Sequence, residues 1–308
     1  MDRLTDIVPT EQVLHGGAPR GAPIPWWGKI GAKIVLSRAL PSYRMRKAFG
    51  LFLHGNLDHN IEQHSDFVKD ALAAHERYAS GKARTILELG PGNTLGTALF
   101  AAARGVERTW LADVGDFAIA DMALYRDIAH MLEAEAPGFA ARVDLADRAG
   151  MLKSLNATYL TGGAASLAEI PSGSVDVVLS TAVLEHVRRA EFPRIAAETW
   201  RVLRPGGTAF HGVDLMDHLG GGLNNLRFSE ALWESAFFAN SGFYTNRLRC
   251  HEIVAALRAA GFEVALMRIV RWPALPTPRD VFAAPFRDLP EDELLIANFR
   301  VLLRKPEA

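Results

Sequence analysis

A single cysteine, Cys250, stands in a chain of 308 residues. One thiol excludes an internal disulfide framework and any zinc site built from several cysteines. It gives no sign of an oxidising compartment, so the cytoplasm is the expected setting. Long apolar runs are also missing. None approaches the ~18–20 residues that span a bilayer, and no apolar stretch follows a basic start near the N-terminus. Neither a transmembrane helix nor a secretory signal is expected. Internal repeats and low-complexity tracts are absent as well.

Acidic residues are missing from one long segment. Between Gln12 and Leu57 there is no Asp or Glu, while Arg20, Lys29, Lys33, Arg38, Arg44, Arg46 and Lys47 lie within it. The whole chain has 34 Lys and Arg against 35 Asp and Glu, so the remainder holds 27 against 35, a net −8. The N-terminal segment is basic and the body acidic. An acidic body with no RNA module argues against nucleic acid as a partner. The basic segment, with Trp26 and Trp27, has three readings. It is a solvated face packed by its aromatics, a wall around an anionic acceptor, or a peripheral contact through residues 26–53 with the anionic inner face of a membrane.

What the sequence does contain is an alternation. Residues 1–25 are rich in Gly and Pro and read as a loose arm. Helices are expected over Trp26–Leu40 and Asp58–Ser80, with a basic, aromatic segment from Tyr43 to Leu53 between them. From there strands and helices take turns. Strands are expected at 85–90, Arg108–Val114, Thr158–Thr161, Val175–Ser180, Thr208–Leu215, Phe262–Ile269 and Ile296–Arg304. Helices are expected near Leu95–Ala103, Phe117–Ala134, Glu191–Leu203 and His251–Ala260, and Arg204-Pro205-Gly206-Gly207 reads as a tight turn. This order predicts an α/β, Rossmann-like, doubly wound sheet of seven strands. An N-terminal helical extension over 1–80 precedes a domain over 81–308 that carries an insert at about 216–247.

The turn TILELGPGNTLGT, Thr85 to Thr97, carries the functional information. Glycine lets a backbone approach a ligand with no Cβ in the way. In a doubly wound sheet, ligands bind beyond the carboxyl ends of the strands where the strand order reverses, which puts Gly90-Pro91-Gly92 at a nucleotide site. The third glycine of GxGxxG is absent, because Leu95 stands there. That argues against a dinucleotide and a dehydrogenase. Glu88 precedes the turn by two positions, and Asp113 closes the second strand 21 positions after Gly92. VDVVLSTAVLEHV spans the fourth strand and its exit, and LRPGG opens the fifth.

Together these residues resemble the class I S-adenosylmethionine-dependent methyltransferases, in particular the small-molecule branch called type 11, over about Lys82 to Phe262. The resemblance implies an antiparallel last strand and S-adenosylmethionine as cofactor. It implies Gly90, Pro91, Gly92, Asn93 and Thr94 under the methionine part, and Glu88 toward its amino end. Asp113 would meet the ribose hydroxyls, Gly163 and Ala164 the adenine, and Ser180 would close the fourth strand beside the cofactor. The family often has an Asp near the adenine, where this sequence reads LTGGAASL.

Methyl transfer is an in-line displacement, so the protein must align a nucleophile, exclude water and, where needed, remove a proton. His186 follows the fourth strand, and Asp214, Asp217 and His218 follow the fifth. An imidazole accepts a proton near neutrality, and His218 oriented by a carboxylate is the first candidate base. No metal site is expected. The insert is long for a connection, whose median is about 4–6 residues. Its Asn224, Asn225, Arg227, Trp233, Tyr244, Asn246 and Arg247 suit a polar ring or sugar, whereas Phe237 and Phe238 read as core packing. The expected activity is O-methylation of a small-molecule, glycan or lipid-linked acceptor. The alternatives are N- or C-methylation, or a cofactor-binding regulatory or partner subunit without activity.

Overall fold

The computed structural model describes residues 3–14, 25–39, 57–79 and 81–307. Its strands are β1 (Thr10–Val13), β2 (Thr85–Leu89), β3 (Arg108–Ala112), β4 (Ala157–Leu160), β5 (Val175–Thr181), β6 (Leu203–Asp214), β7 (Glu263–Arg271) and β8 (Ile296–Arg304). They form one sheet in the order β1-β7-β8-β6-β5-β2-β3-β4. Strand β8 is antiparallel to β6 and β7, and the other pairings are parallel. The chain moves outward from β2 to β4, then returns to lay β5 on the other side of β2. The reversal point therefore lies between β2 and β5.

All seven expected strands form, and β1 is an eighth. It pairs in parallel with β7, from Thr10 opposite Arg268 to Val13 opposite Arg271. The loose arm expected over residues 1–25 is corrected here. Gly and Pro are dense only after Val13, so composition described the later part of that segment and not the strand before it. The strand is exposed at all four positions. Its backbone pairing is reinforced by Gln12 Oε1 accepting from Arg268 Nη2.

The longer helices are α1 (Trp26–Ala39), α2 (Leu57–Tyr78), α3 (Gly96–Ala103), α4 (Met122–Met131), α5 (Phe192–Val202) and α6 (Cys250–Ala259). Helix α4 starts later than hydrophobic spacing suggested, because the Asp121 side chain accepts from Ala123 N and caps it there. The segment Tyr43–Leu53 lies outside the described residues, as do residues 15–24. Within the stretch expected to touch a membrane, Trp27 and Val35 are exposed on α1. Lys33 instead turns inward and donates to His218 O at 2.8 Å. Burial, with the charge of Lys29 adding, lowers its pKa.

Alternation along the strands feeds two cores, because successive side chains point to opposite faces. Ile86 joins Phe67, Val68, Leu99, Phe100 and Tyr125 beneath α2, α3 and α4. Leu87 joins Val178, Phe192, Ile253 and Phe299 beneath α5 and α6. Strand β5 is buried at every position except its last, as a strand covered on both faces must be. The expected turn at Arg204–Gly207 is drawn into β6 as a bulge: Val175 pairs with Leu203, and Val177 next with Thr208. Lys305 pins it, accepting from Gly206 N and donating to Gly207 O, both at 2.9 Å.

The insert builds a core of its own. Trp233, Phe238, Phe243 and Tyr244 cluster with Ile30 of α1. Trp26 meets Phe228 edge-on at 6.0 Å. Helix α1 is thus fastened to the insert.

Candidate active site

The turn after β2 opens onto a cavity of about 480 Å³ at the reversal point. Gly90 and Gly92 adopt φ of +68° and +63°, which side-chain-bearing residues rarely hold. A Cβ on Gly90 would lie 2.5 Å from Val183 Cγ2, so the turn after β2 and the loop after β5 touch only because this residue is glycine. A Cβ on Gly92 would meet nothing nearer than Gly90 O at 4.0 Å and would project into open space. Ala182, the first residue after β5, holds φ of +54° and is anchored by its N–H to Gly212 O at 2.9 Å. A left-handed alanine at a cavity wall is strain retained at a site.

Asp113 lines the cavity beside Gly92. Its Oδ2 accepts from Gly92 N at 2.9 Å and its Oδ1 from Val114 N at 2.7 Å. Burial raises its pKa, against the two backbone donors, and the Glu88 charge adds to the rise. Gly163 N donates to Asp113 O at 2.8 Å, which brings the segment after β4 to the same wall. Val114, Phe117 and Leu167 give that wall an apolar slot, and Val114 is 77% exposed within it.

The structure brings Gly90, Gly92, Asp113, Gly163 and Ala164 together around this cavity. The other expected cofactor residues, Glu88, Pro91, Asn93, Thr94 and Ser180, do not line it. Asn93 O accepts from Ile119 N, and Thr94 Oγ1 from Gly96 N at the start of α3. Ser180 is fully buried and bonds His211 Nδ1 at 2.8 Å, inside the sheet's packing. Burial takes the His211 imidazole down to about 4, so it is neutral. Glu88 is 2% exposed and meets His64 of α2, with Oε1 2.9 Å from Nε2.

On the far side of the cavity the loop after β5 carries His186. The insert clamps this loop. Asn246 N donates to Glu185 O at 2.7 Å, and its Nδ2 donates to Leu184 O at 2.8 Å and Val187 O at 2.9 Å. Tyr244 O lies 3.0 Å from His186 Nδ1. A carbonyl only accepts, so Nδ1 carries the proton and the lone pair of the neutral ring sits on Nε2. The His186 ring packs edge-on against His218 with centroids 4.7 Å apart.

The expected partnership of Asp217 with His218 gives way to a different role. Asp217 is 2% exposed. Its Oδ1 accepts from the N–H groups of Leu219, Gly221 and Gly222, and its Oδ2 from Asn224 N and Nδ2. Five donors saturate the carboxylate, which organises the loop it heads. The insert's polar residues are similarly committed. Arg247 donates to Asn225 O and Phe228 O, and Asn225 Nδ2 donates to Thr245 Oγ1. The aromatic side chains of Trp233 and Phe243 are fully buried in the insert's own core.

Asp214 sits with Glu185, which sequence reasoning had not placed at the site. Glu185 Oε1 accepts from Asp214 N at 3.3 Å, and its Oε2 is buried without a hydrogen-bond partner. Burial raises the Glu185 carboxyl to about 8, with the Asp214 charge adding, and burial raises Asp214 to about 6. The folded protein therefore holds a proton on Glu185 across a range where the unfolded chain has lost it. Stability from this group is lost as pH rises from about 4.5 to about 8. Glu185→Gln should shift the melting temperature in the variant's favour by several degrees, about 3–6 °C, between pH 5 and pH 8.5. Thermal scans at the two pH values check it, and a difference independent of pH would contradict the assignment. Among the described residues no group of three or more His, Cys, Asp or Glu is arranged to hold a metal. No described helix is long and apolar enough to cross a membrane.

The sheet order, the glycine turn at its reversal point and the acid closing the next strand define a class I methyltransferase architecture. Residues 128–211 match the type 11 family model, described as a methyltransferase domain. That stretch runs from α4 into β6 and includes the loop bearing His186; the glycine turn and Asp113 precede it. Residues 128–211 thus carry a methyltransferase domain within a Rossmann-like sheet, an enzyme architecture whose cofactor is S-adenosylmethionine.

No curated protein matches the chain. Among solved structures it is similar to 1,6-didemethyltoxoflavin-N1-methyltransferase of Burkholderia thailandensis, at 15% identity over 94% of each chain and a TM-score of 0.43. It is similar to phosphoethanolamine N-methyltransferase 2 of Haemonchus contortus, at 16% identity over 84% of this chain and 60% of that one, TM-score 0.43. An O-methyltransferase family protein of B. thailandensis shares 14% identity over 91% and 72%, TM-score 0.39. At these values the acceptors of those proteins say nothing about this one.

The residues around the cavity suit the cofactor. The open space before Gly92 is a cradle that a Cβ would fill. The slot at Val114, Phe117 and Leu167 has the apolar lining a purine requires, and Asp113 presents a carboxylate between cradle and slot.

Proposed function

We propose that this methyltransferase acts on a hydroxyl of a small-molecule, glycan or lipid-linked acceptor, bound where the cavity meets the insert, with His186 as the base. When bound, S-adenosylmethionine supplies an activated methyl group. Gly90 and Gly92 leave room for its methionine part, Asp113 accepts hydrogen bonds from its ribose hydroxyls, and Gly163 and Ala164 border its adenine. The observation that carries the acceptor reading is the clamped tautomer of His186. Tyr244 O takes the Nδ1 proton, so the basic Nε2 belongs to a ring that lines the cavity. A hydroxyl must lose a proton as it is methylated, and a neutral imidazole can receive it. His218 supports that ring from the insert side, and Asp214 with Glu185 lies behind them.

The test is a transfer screen with methyl-labelled cofactor. Hydroxylated small molecules, glycans and lipid-linked sugars are offered beside amines and carbon nucleophiles of matched shape. Labelled methyl ethers are expected. Label recovered only in amine or carbon products would sink the reading.

A further inference from the structure

We propose that His64, carried by helix α2, is a positioning residue of the cofactor site that holds the Glu88 carboxylate oriented at the root of the glycine turn. Glu88 lies two residues before Gly90. Its Oε1 is 2.9 Å from His64 Nε2, and its Oε2 is buried with no hydrogen-bond partner. A buried carboxylate oxygen without a donor is costly, so its position needs a partner on the other oxygen and a purpose for the open one. The same His64 Nε2 lies 2.9 Å from Thr97 Oγ1 of α3, and the imidazole meets the edge of Phe100 at 5.5 Å. One nitrogen therefore ties three elements together: α2, β2 and the helix that follows the turn.

The charges around this contact agree with that role. Arg104 of α3 is already committed to Ser65 Oγ, Phe100 O and Glu135. Among the strands beneath α2, Asp113, just past β3, feels the charge of Glu88, while His211 of β6 is neutral. His64 is thus the basic side chain that partners Glu88. Burial disfavours its charged form, but the charge and hydrogen bond of Glu88 outweigh burial and raise its pKa above the ordinary imidazole value. With His64 removed, the buried Glu88 carboxylate loses the side-chain partner that fixes its orientation.

The proposal rests on the reading that the glycine turn binds S-adenosylmethionine, and the experiment separates the two. Binding of S-adenosylhomocysteine to the full chain is measured by calorimetry at pH 7.5. It compares the wild type, His64→Ala, His64→Gln, Glu88→Gln and the His64→Ala/Glu88→Gln double variant. Wild-type binding supports the underlying reading; its absence overturns both. Relative to wild type, His64→Ala should bind about 10-fold more weakly, the worth of one hydrogen bond to a charged group. Glu88→Gln should lose affinity as well, and the double variant should be no weaker than Glu88→Gln alone. A loss for His64→Ala that adds in full to that of Glu88→Gln would overturn the proposal, as would no loss. His64→Gln retains a donor and the helix and should bind within about 3-fold of wild type; should His64→Ala not fold, His64→Leu takes its place in the same comparison.

Discussion

Asp113→Ala is expected to lower affinity for S-adenosylhomocysteine by about 100-fold. Two charge-assisted hydrogen bonds from ribose hydroxyls are worth roughly 1.5–3 kcal/mol each, and a loss of about 2.7 kcal/mol is already that factor. The carboxylate also holds the turn, since Oδ2 accepts from Gly92 N at 2.9 Å. Removing it therefore takes away a ligand contact and loosens the cradle. Calorimetry on the folded variant checks the result, with Asp113→Asn as the partner experiment that preserves shape and one acceptor. Unchanged affinity in Asp113→Ala would remove the ribose assignment.

His186→Gln is expected to lower kcat for a hydroxyl acceptor by about 10²–10⁴-fold, the usual contribution of a positioned base. Affinity for S-adenosylhomocysteine should stay within about 3-fold, because the turn, Asp113 and the apolar slot are untouched. The amide can still donate toward Tyr244 O, so the clamp on the loop need not fail. A pH–rate profile sharpens the test: the rising limb seen with the wild type should be absent from the residual activity. Equal losses in rate and cofactor affinity would mean that His186 shapes the cavity and takes no proton.

Parts of the site were legible because they obey local rules. Gly90 and Gly92 sit where only glycine fits, one by φ and by the approach of Val183, the other by facing the cavity. Asp113 follows a strand whose end must lie at the ligand edge of a doubly wound sheet. Other expected residues are drawn into different roles by loop and cross-sheet contacts that spacing does not record. Asp217 and His218 are adjacent in sequence, yet five loop donors converge on Asp217 and take it out of any dyad. Ser180 ends an apolar strand beside the site but faces His211, a residue 31 positions away. Glu185 stood within VDVVLSTAVLEHV; its burial beside Asp214 could be known only from the folded chain. The insert's aromatics suggested a binding surface, and instead they bury one another with Ile30.

The chain by itself determined the alternation of strands and helices, the doubly wound class, the glycine turn and the acid that answers it. Each is encoded in side-chain periodicity or in the stereochemistry of one residue, over spans short enough to read. The eighth strand, the pairing of His64 with Glu88 and the tautomer of His186 were decided only by tertiary structure. They depend on which backbone edge, carboxylate or carbonyl a distant segment meets: Thr10 against Arg268, His64 against Glu88, Tyr244 against His186. No periodicity records such meetings, because hydrogen bonds and ion pairs across the fold are chosen by packing after the elements have formed.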